Sequence, residues 1–274
     1  MKLTGFADEI AADLTRQLEV LGQEDIRYLE FRSVDGINVL QLTDEQLERV
    51  KAELERNGVR VSAIGSPIGK IGILDPMEPH LLAFDRAIAV AKLFGTDRIR
   101  LFSFFIPRGD DPAIHRPEVL RRMELLTRRA EEAGVLLLLE NETGTYADTP
   151  ERCLDVLEHC GSSRLRHAFD PGNYIQSGVG STMDAYRLLE SYVTYVHVKD
   201  VSSRTGKETP AGQGDGQLPE LIACLRQKGY DGFLSLEPHL AYSGQYPDLS
   251  PEALFAMASQ ALKTILKEAG QPWS

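Results

Sequence analysis

The chain has 274 residues, 42% hydrophobic and 26% charged, which is ordinary globular usage and enough to bury a sizeable core. Its formal net charge of −11 repels a phosphate backbone, so extended nucleic-acid binding is excluded while a small anionic substrate is not. No uncharged apolar run approaches the roughly 18 residues of a membrane span, and the acidic start lacks a signal-peptide apolar stretch.

A cytoplasmic location without a membrane partner is therefore expected, and Cys153, Cys160 and Cys224 are expected to be reduced thiols. Along the chain, short β-branched or aromatic runs alternate with longer segments of helical period. The first strand is expected over residues 2–6, where Gly5-Phe6-Ala7-Asp8-Glu9 stands in place of a dinucleotide glycine fingerprint. The second, over 26–31, leads to a helix with a capping box at Thr43 and Gln46. Leu47, Val50 and Leu54 share one face of that helix, and Asn57-Gly58 ends it. Strands over 59–64 and 98–104 follow, then a helix over 117–134. The last four strands are expected over 135–140, 166–170, 193–198 and 232–237. Eight evenly spaced β/α units without a linker predict a (β/α)8 TIM barrel, one domain over 1–274, rather than an open doubly wound sheet.

Barrel active sites sit at the C-terminal strand ends. Four successive strands end in a candidate ligand: Glu140, with Glu142 just beyond, then Asp170, His197 and Glu237. Three carboxylates at one barrel mouth repel one another unless some are protonated or a cation neutralises them. Three oxygen donors and one imidazole suit Mn²⁺ or Mg²⁺, with Co²⁺ and Zn²⁺ acceptable. In an octahedral shell, four protein ligands would leave two positions for a sugar carbonyl and its neighbouring hydroxyl.

Other strand ends add candidate substrate contacts: Glu30, whose rival role is pairing with Arg32; Ser66 and Lys70; and Ser103. Lys199 lies two residues past His197 and so points the same way, with a salt bridge to an acid such as Glu142 as its rival role. Glu142, Asn173 and His239 complete the set. Phe31, Phe102, Phe104 and Phe105 serve equally as a platform for a sugar face or as core.

Leu139-Glu140-Asn141, Phe169-Asp170-Pro171-Gly172-Asn173, Val196-His197-Val198-Lys199-Asp200 and Leu236-Glu237-Pro238, in this order, resemble the sugar phosphate isomerase/epimerase family of xylose isomerase-like barrels. The loop Pro210-Ala211-Gly212-Gln213-Gly214-Asp215 is similar to that family's glycine loop after the seventh strand. The resemblance implies metal ligation by Glu140, Asp170, His197 and Glu237, with the two glutamates also moving protons on a carbohydrate substrate through an enediolate. Family ketose 3-epimerases carry a histidine where this chain has Asn173, and an amide does not titrate, which argues against that activity. Elimination by a lyase, as in a dehydratase or a 3-keto-glycoside-cleaving enzyme, uses the same enediolate. A non-catalytic sugar-binding barrel has no need of the full ligand set, and an abasic-site endonuclease needs a basic face and further ligands that the chain lacks. A homo-oligomer is compatible with all of these readings.

Overall fold

The computed structural model describes residues 1–274 and places eight parallel strands around a nearly closed barrel. The strands are β1 (Lys2–Gly5), β2 (Tyr28–Phe31), β3 (Arg60–Ile64), β4 (Arg98–Leu101), β5 (Leu136–Glu140), β6 (Leu165–Phe169), β7 (Val193–Val198) and β8 (Phe233–Leu236). Hydrogen-bonded ladders run from β2 through β3 to β8 and on to β1. β1 and β2 share no ladder, and inside the barrel Thr4 Oγ1 of β1 meets Ser62 Oγ of β3 at 2.8 Å.

The helices that matter for the site's surroundings are α1 (Leu14–Gln23), α2 (Asp44–Arg56), α3 (Glu78–Leu93) and α4 (Pro112–Ala133), which cover the first half of the barrel. Thr43 and Gln46 form the expected reciprocal capping box on α2, and Leu47, Val50 and Leu54 are its buried face. The fourth helix starts five residues before the expected Pro117, because the Asp111 carboxylate accepts from the Ala113 N–H and Pro112 occupies the first turn. Gly134 closes it in the left-handed conformation at φ 74°.

Two cores result from the alternation of each strand. The larger lies between sheet and helices, and a small one of Ala63, Leu138, Ala168, Tyr195 and Phe233 fills the barrel's lower interior. Above that plug the interior turns polar. Ser62 Oγ lies 3.0 Å from the Tyr195 hydroxyl, and Ser235 donates to Glu30 at 2.6 Å, all fully buried or nearly so. Beyond the strands, β4 leaves the sheet at Leu101 rather than 104, since the Phe102 N–H turns to the Ile68 carbonyl and Phe104 adopts φ +70°. Gly69, at φ +89°, permits that crossing: a Cβ there would stand 2.0 Å from the Phe102 carbonyl oxygen. No helix is long and apolar enough to cross a membrane.

Candidate metal and active site

Glu140, Asp170, His197 and Glu237 converge at the C-terminal mouth, each with one donor atom within 4.8 Å of the others and all four buried. His197 stands at the centre. Its Nδ1 lies 3.3 Å from Glu140 Oε1, 3.3 Å from Glu237 Oε2 and 3.8 Å from Asp170 Oδ2. Local hydrogen bonds set Asp170 and Glu140. The Asn141 amide clamps the Asp170 backbone in both directions, donating to its carbonyl at 2.8 Å and accepting from its N–H at 3.0 Å. Asp170 itself caps the short helix 171–176 through Oδ1, which accepts from the Asn173 N–H, leaving Oδ2 toward the cluster. Asn173 Nδ2 donates to Glu140 Oε1 at 3.0 Å.

Cations hold the two glutamates ionised. Burial disfavours the Glu140 carboxylate, but His197 and Arg100 outweigh it and hold its pKa at about 2 despite the like charge of Glu237. Burial likewise opposes Glu237, which Lys199 and His197 keep well below the ordinary range. Lys199 Nζ reaches Asp170 Oδ2 at 2.8 Å and Glu237 Oε2 at 3.3 Å. The salt-bridge alternative for Lys199 thus forms with acids of the ligand cluster and not with Glu142, which is 3.2 Å from Lys70.

The rival pairing of Glu30 with Arg32 does not form. Arg32 pairs instead with Asp8 at 2.7 Å and Glu237 at 3.1 Å, because Glu30 points down into the barrel. His239 sits 3.3 Å from Glu9 Oε1, and burial raises the Glu9 carboxyl to about 8.

The cavity above the cluster measures about 250 Å³ and is lined by twelve residues, none hydrophobic. Lys70, Glu142, Asn173, Lys199, Glu237 and His239 line it, as do Arg32 and Arg100. Glu30 and Ser66 do not. Both are 0% exposed; the Ser66 hydroxyl is spent on the Arg100 carbonyl at 2.5 Å, and Glu30 lies beneath His197. Ser103 is spent on Thr145 and the Ala147 N–H. Phe102 is fully buried but contributes to the site indirectly, carrying the Arg100 guanidinium at 4.7 Å and the Lys70 ammonium at 4.3 Å from its ring centre.

Arg100 is the residue that sequence reasoning did not single out. Its Nη1 bridges Glu140 Oε2 at 3.1 Å and Glu237 Oε1 at 3.6 Å, with the side chain 5% exposed between Phe6 and Phe102. An arginine inside a strand, where alternation sends it inward, is the available signal.

The donor set fits a divalent ion. His197 Nδ1 is buried without a hydrogen-bond partner and faces the Glu140, Asp170 and Glu237 carboxylates, an arrangement that an ion among them would complete. One imidazole and three carboxylates form an oxygen-rich, thiolate-free set. The glycine loop after β7, in contrast, has no free cradle for a phosphate. Asp200 already accepts from the N–H groups of Gly212, Gly214 and Gly216 at 2.8 to 3.0 Å.

The family model described as xylose isomerase-like TIM barrel matches residues 22–265. A human protein that carries a provisional hydroxypyruvate isomerase name is 28% identical over 218 residues, 71% of this chain and 74% of its own. An inosose dehydratase of Clostridium perfringens is 26% identical over 128 residues, which are 39% of this chain and 42% of that protein. Among solved structures, the IOLI protein with a bound zinc atom superposes with a TM-score of 0.80 at 15% identity, covering 98% of this chain and 99% of that one.

Proposed function

The chain belongs to the xylose isomerase-like TIM barrel family, and on that premise we propose that it is a divalent-metal-dependent isomerase or epimerase of a small polyhydroxylated carbonyl compound. The observation that carries the proposal is the meeting of four buried donors under a cavity that no hydrophobic residue lines. Glu140, Asp170, His197 and Glu237 would hold the ion, with Mn²⁺ the preferred choice for so oxygen-rich a set and Mg²⁺, Co²⁺ or Zn²⁺ as alternatives. Bound there, a divalent ion supplies Lewis-acid polarisation of a carbonyl and offsets the negative charge that develops when the neighbouring proton leaves.

The proton is moved by the chain's own glutamates. Glu140 on β5 and Glu237 after β8 both reach the His197 Nδ1 edge, each at 3.3 Å, and on this reading one removes a carbon-bound proton and the other returns one. Arg100 and Lys199 keep both in the carboxylate form needed of a base. Lys70, Asn173 and His239 are placed to hold hydroxyl groups of the substrate.

Cavity size narrows the substrate. About 250 Å³ lies below the usual range for drug-sized ligands, which favours a single sugar or smaller over a glycoside. The occupied glycine loop argues against a phosphate at that position. A second reading keeps the barrel and makes it a lyase, supported by the dehydratase relative. Incubating the Mn²⁺-loaded protein with small hydroxyketones, keto-sugars and inososes separates the two by product mass. Unchanged mass supports isomerisation, loss of water supports elimination, and inertness toward all of them while the ion binds sinks the enzymatic reading.

A further inference from the structure

His197 is fully buried, with ligand carboxylates around Nδ1 and a different acid below. Nε2 makes no formed hydrogen bond, and Glu30 Oε2 lies 3.3 Å from it. Glu30 is itself 0% exposed; Oε2 accepts from Ser235 at 2.6 Å, and Oε1 has no hydrogen-bond partner. A buried carboxylate with an idle oxygen is costly, and a hydroxyl partner alone does not explain why the position is an acid. Ser235 stands directly beside His197 in the β7–β8 register, so the three groups form one layer. The ring is gripped edge-on by Phe6 at 5.4 Å and Tyr195 at 5.8 Å, which restrict it to small tilts.

We propose that Glu30 is a positioning residue, the carboxylate that takes the Nε2–H of His197 and thereby leaves Nδ1 as the donor lone pair facing Glu140, Asp170 and Glu237. An imidazole that ligates an ion is neutral, with one N–H and one lone pair; with the ion on Nδ1 among its three carboxylates, the single proton is on Nε2, where Glu30 is the acid that faces it. Fixing that tautomer strengthens the ring as a ligand. The inference rests on the metal reading of the cluster and assigns Glu30 a role under the site instead of at the substrate.

The test uses the full chain, freed of metal with EDTA, as wild type, Glu30→Gln and Glu30→Ala. Mn²⁺ affinity is measured by titration, and imidazole nitrogen spectra are recorded with Zn²⁺, the His197 signals being assigned by comparison with His197→Asn. Wild type is expected to show a slowly exchanging Nε2–H and a metal-shifted Nδ1. Glu30→Ala should lose that protected proton and about 10–100-fold in Mn²⁺ affinity. Glu30→Gln, which can accept but carries no charge, should fall between. Unchanged affinity and an unchanged Nε2–H in Glu30→Ala would overturn the role of Glu30. Should the alanine variant not fold, wild type decides: a proton on Nδ1, or an Nε2–H in free exchange, overturns it equally. Failure of wild type to bind either ion removes the metal reading and this inference together, whereas normal binding in all three proteins with the Nε2–H unchanged removes only this one.

Discussion

Replacing Arg100 by Met tests whether an internal cation holds the ligand carboxylates in place. Methionine keeps apolar contact with Phe6 and Phe102, whose rings lie 5.0 and 4.7 Å from the guanidinium, but removes its charge. Glu140 and Glu237 then lose a partner at 3.1 and 3.6 Å while 1% and 3% exposed. Removing one partner of a buried pair costs about 3–5 kcal/mol, because the remaining charge has no solvent to turn to. For a chain of this size that corresponds to a fall in Tm of about 10 °C. The loss should be read by thermal and urea denaturation in EDTA. Saturating Mn²⁺ should then restore more stability to Arg100→Met than to wild type, by at least about 1 kcal/mol, since the ion supplies the missing positive charge. A loss under about 1 kcal/mol in EDTA, or equal metal increments in the two proteins, would refute the reasoning.

Other consequences follow from the same geometry. Glu140→Gln and Glu237→Gln should each lower turnover at least about 100-fold while the protein still folds, as seen by circular dichroism beside the activity assay. Burial holds His167 at about 4 against an ordinary 6.5, with Nδ1 on the Leu139 carbonyl and Nε2 on the Tyr174 hydroxyl. A histidine depressed in the fold contributes stability above pH 6.5 and loses it as pH falls through 4, worth roughly 3 kcal/mol. His167→Gln should lack that part of the acid slope in denaturant titrations at pH 7, 5 and 4. Gly69→Ala should cost more than about 3 kcal/mol or prevent folding, because a Cβ would overlap the Phe102 carbonyl at a φ that L residues avoid; a near-wild-type Tm would show that this crossing adapts.

Much of this architecture was legible because it depends on local pattern. The β/α rhythm located all eight strands, and the last residues of β5 to β8 pointed to Glu140, Asp170, His197 and Glu237 as neighbours. What escaped depends on partners far apart in sequence. Alternation sends both Glu30 and Arg100 inward, yet their partners, Ser235 for Glu30 and Glu140 for Arg100, are 205 and 40 residues away. The hairpins Ser33–Val34 with Ile37–Asn38 and Asp200–Ser202 with Lys207–Thr209 were unforeseen, being too short to show a period. Ser66 and Ser103 sit near strand ends as expected, but their hydroxyls are claimed by backbone groups or a neighbouring threonine, a local competition that strand position does not reveal.

The central claim, proton transfer at carbon by a carboxylate pair beside a bound ion, is tested most directly by hydrogen exchange in deuterated water. Small hydroxyketones and keto-sugars are incubated with the Mn²⁺-loaded wild type and with Glu237→Gln, and carbon-bound deuterium is followed by NMR. Wild type should incorporate deuterium beside a carbonyl in at least one of them, EDTA should abolish the incorporation, and the variant should fall at least about 100-fold. Equal incorporation by the variant, or incorporation undiminished by EDTA, would contradict the account.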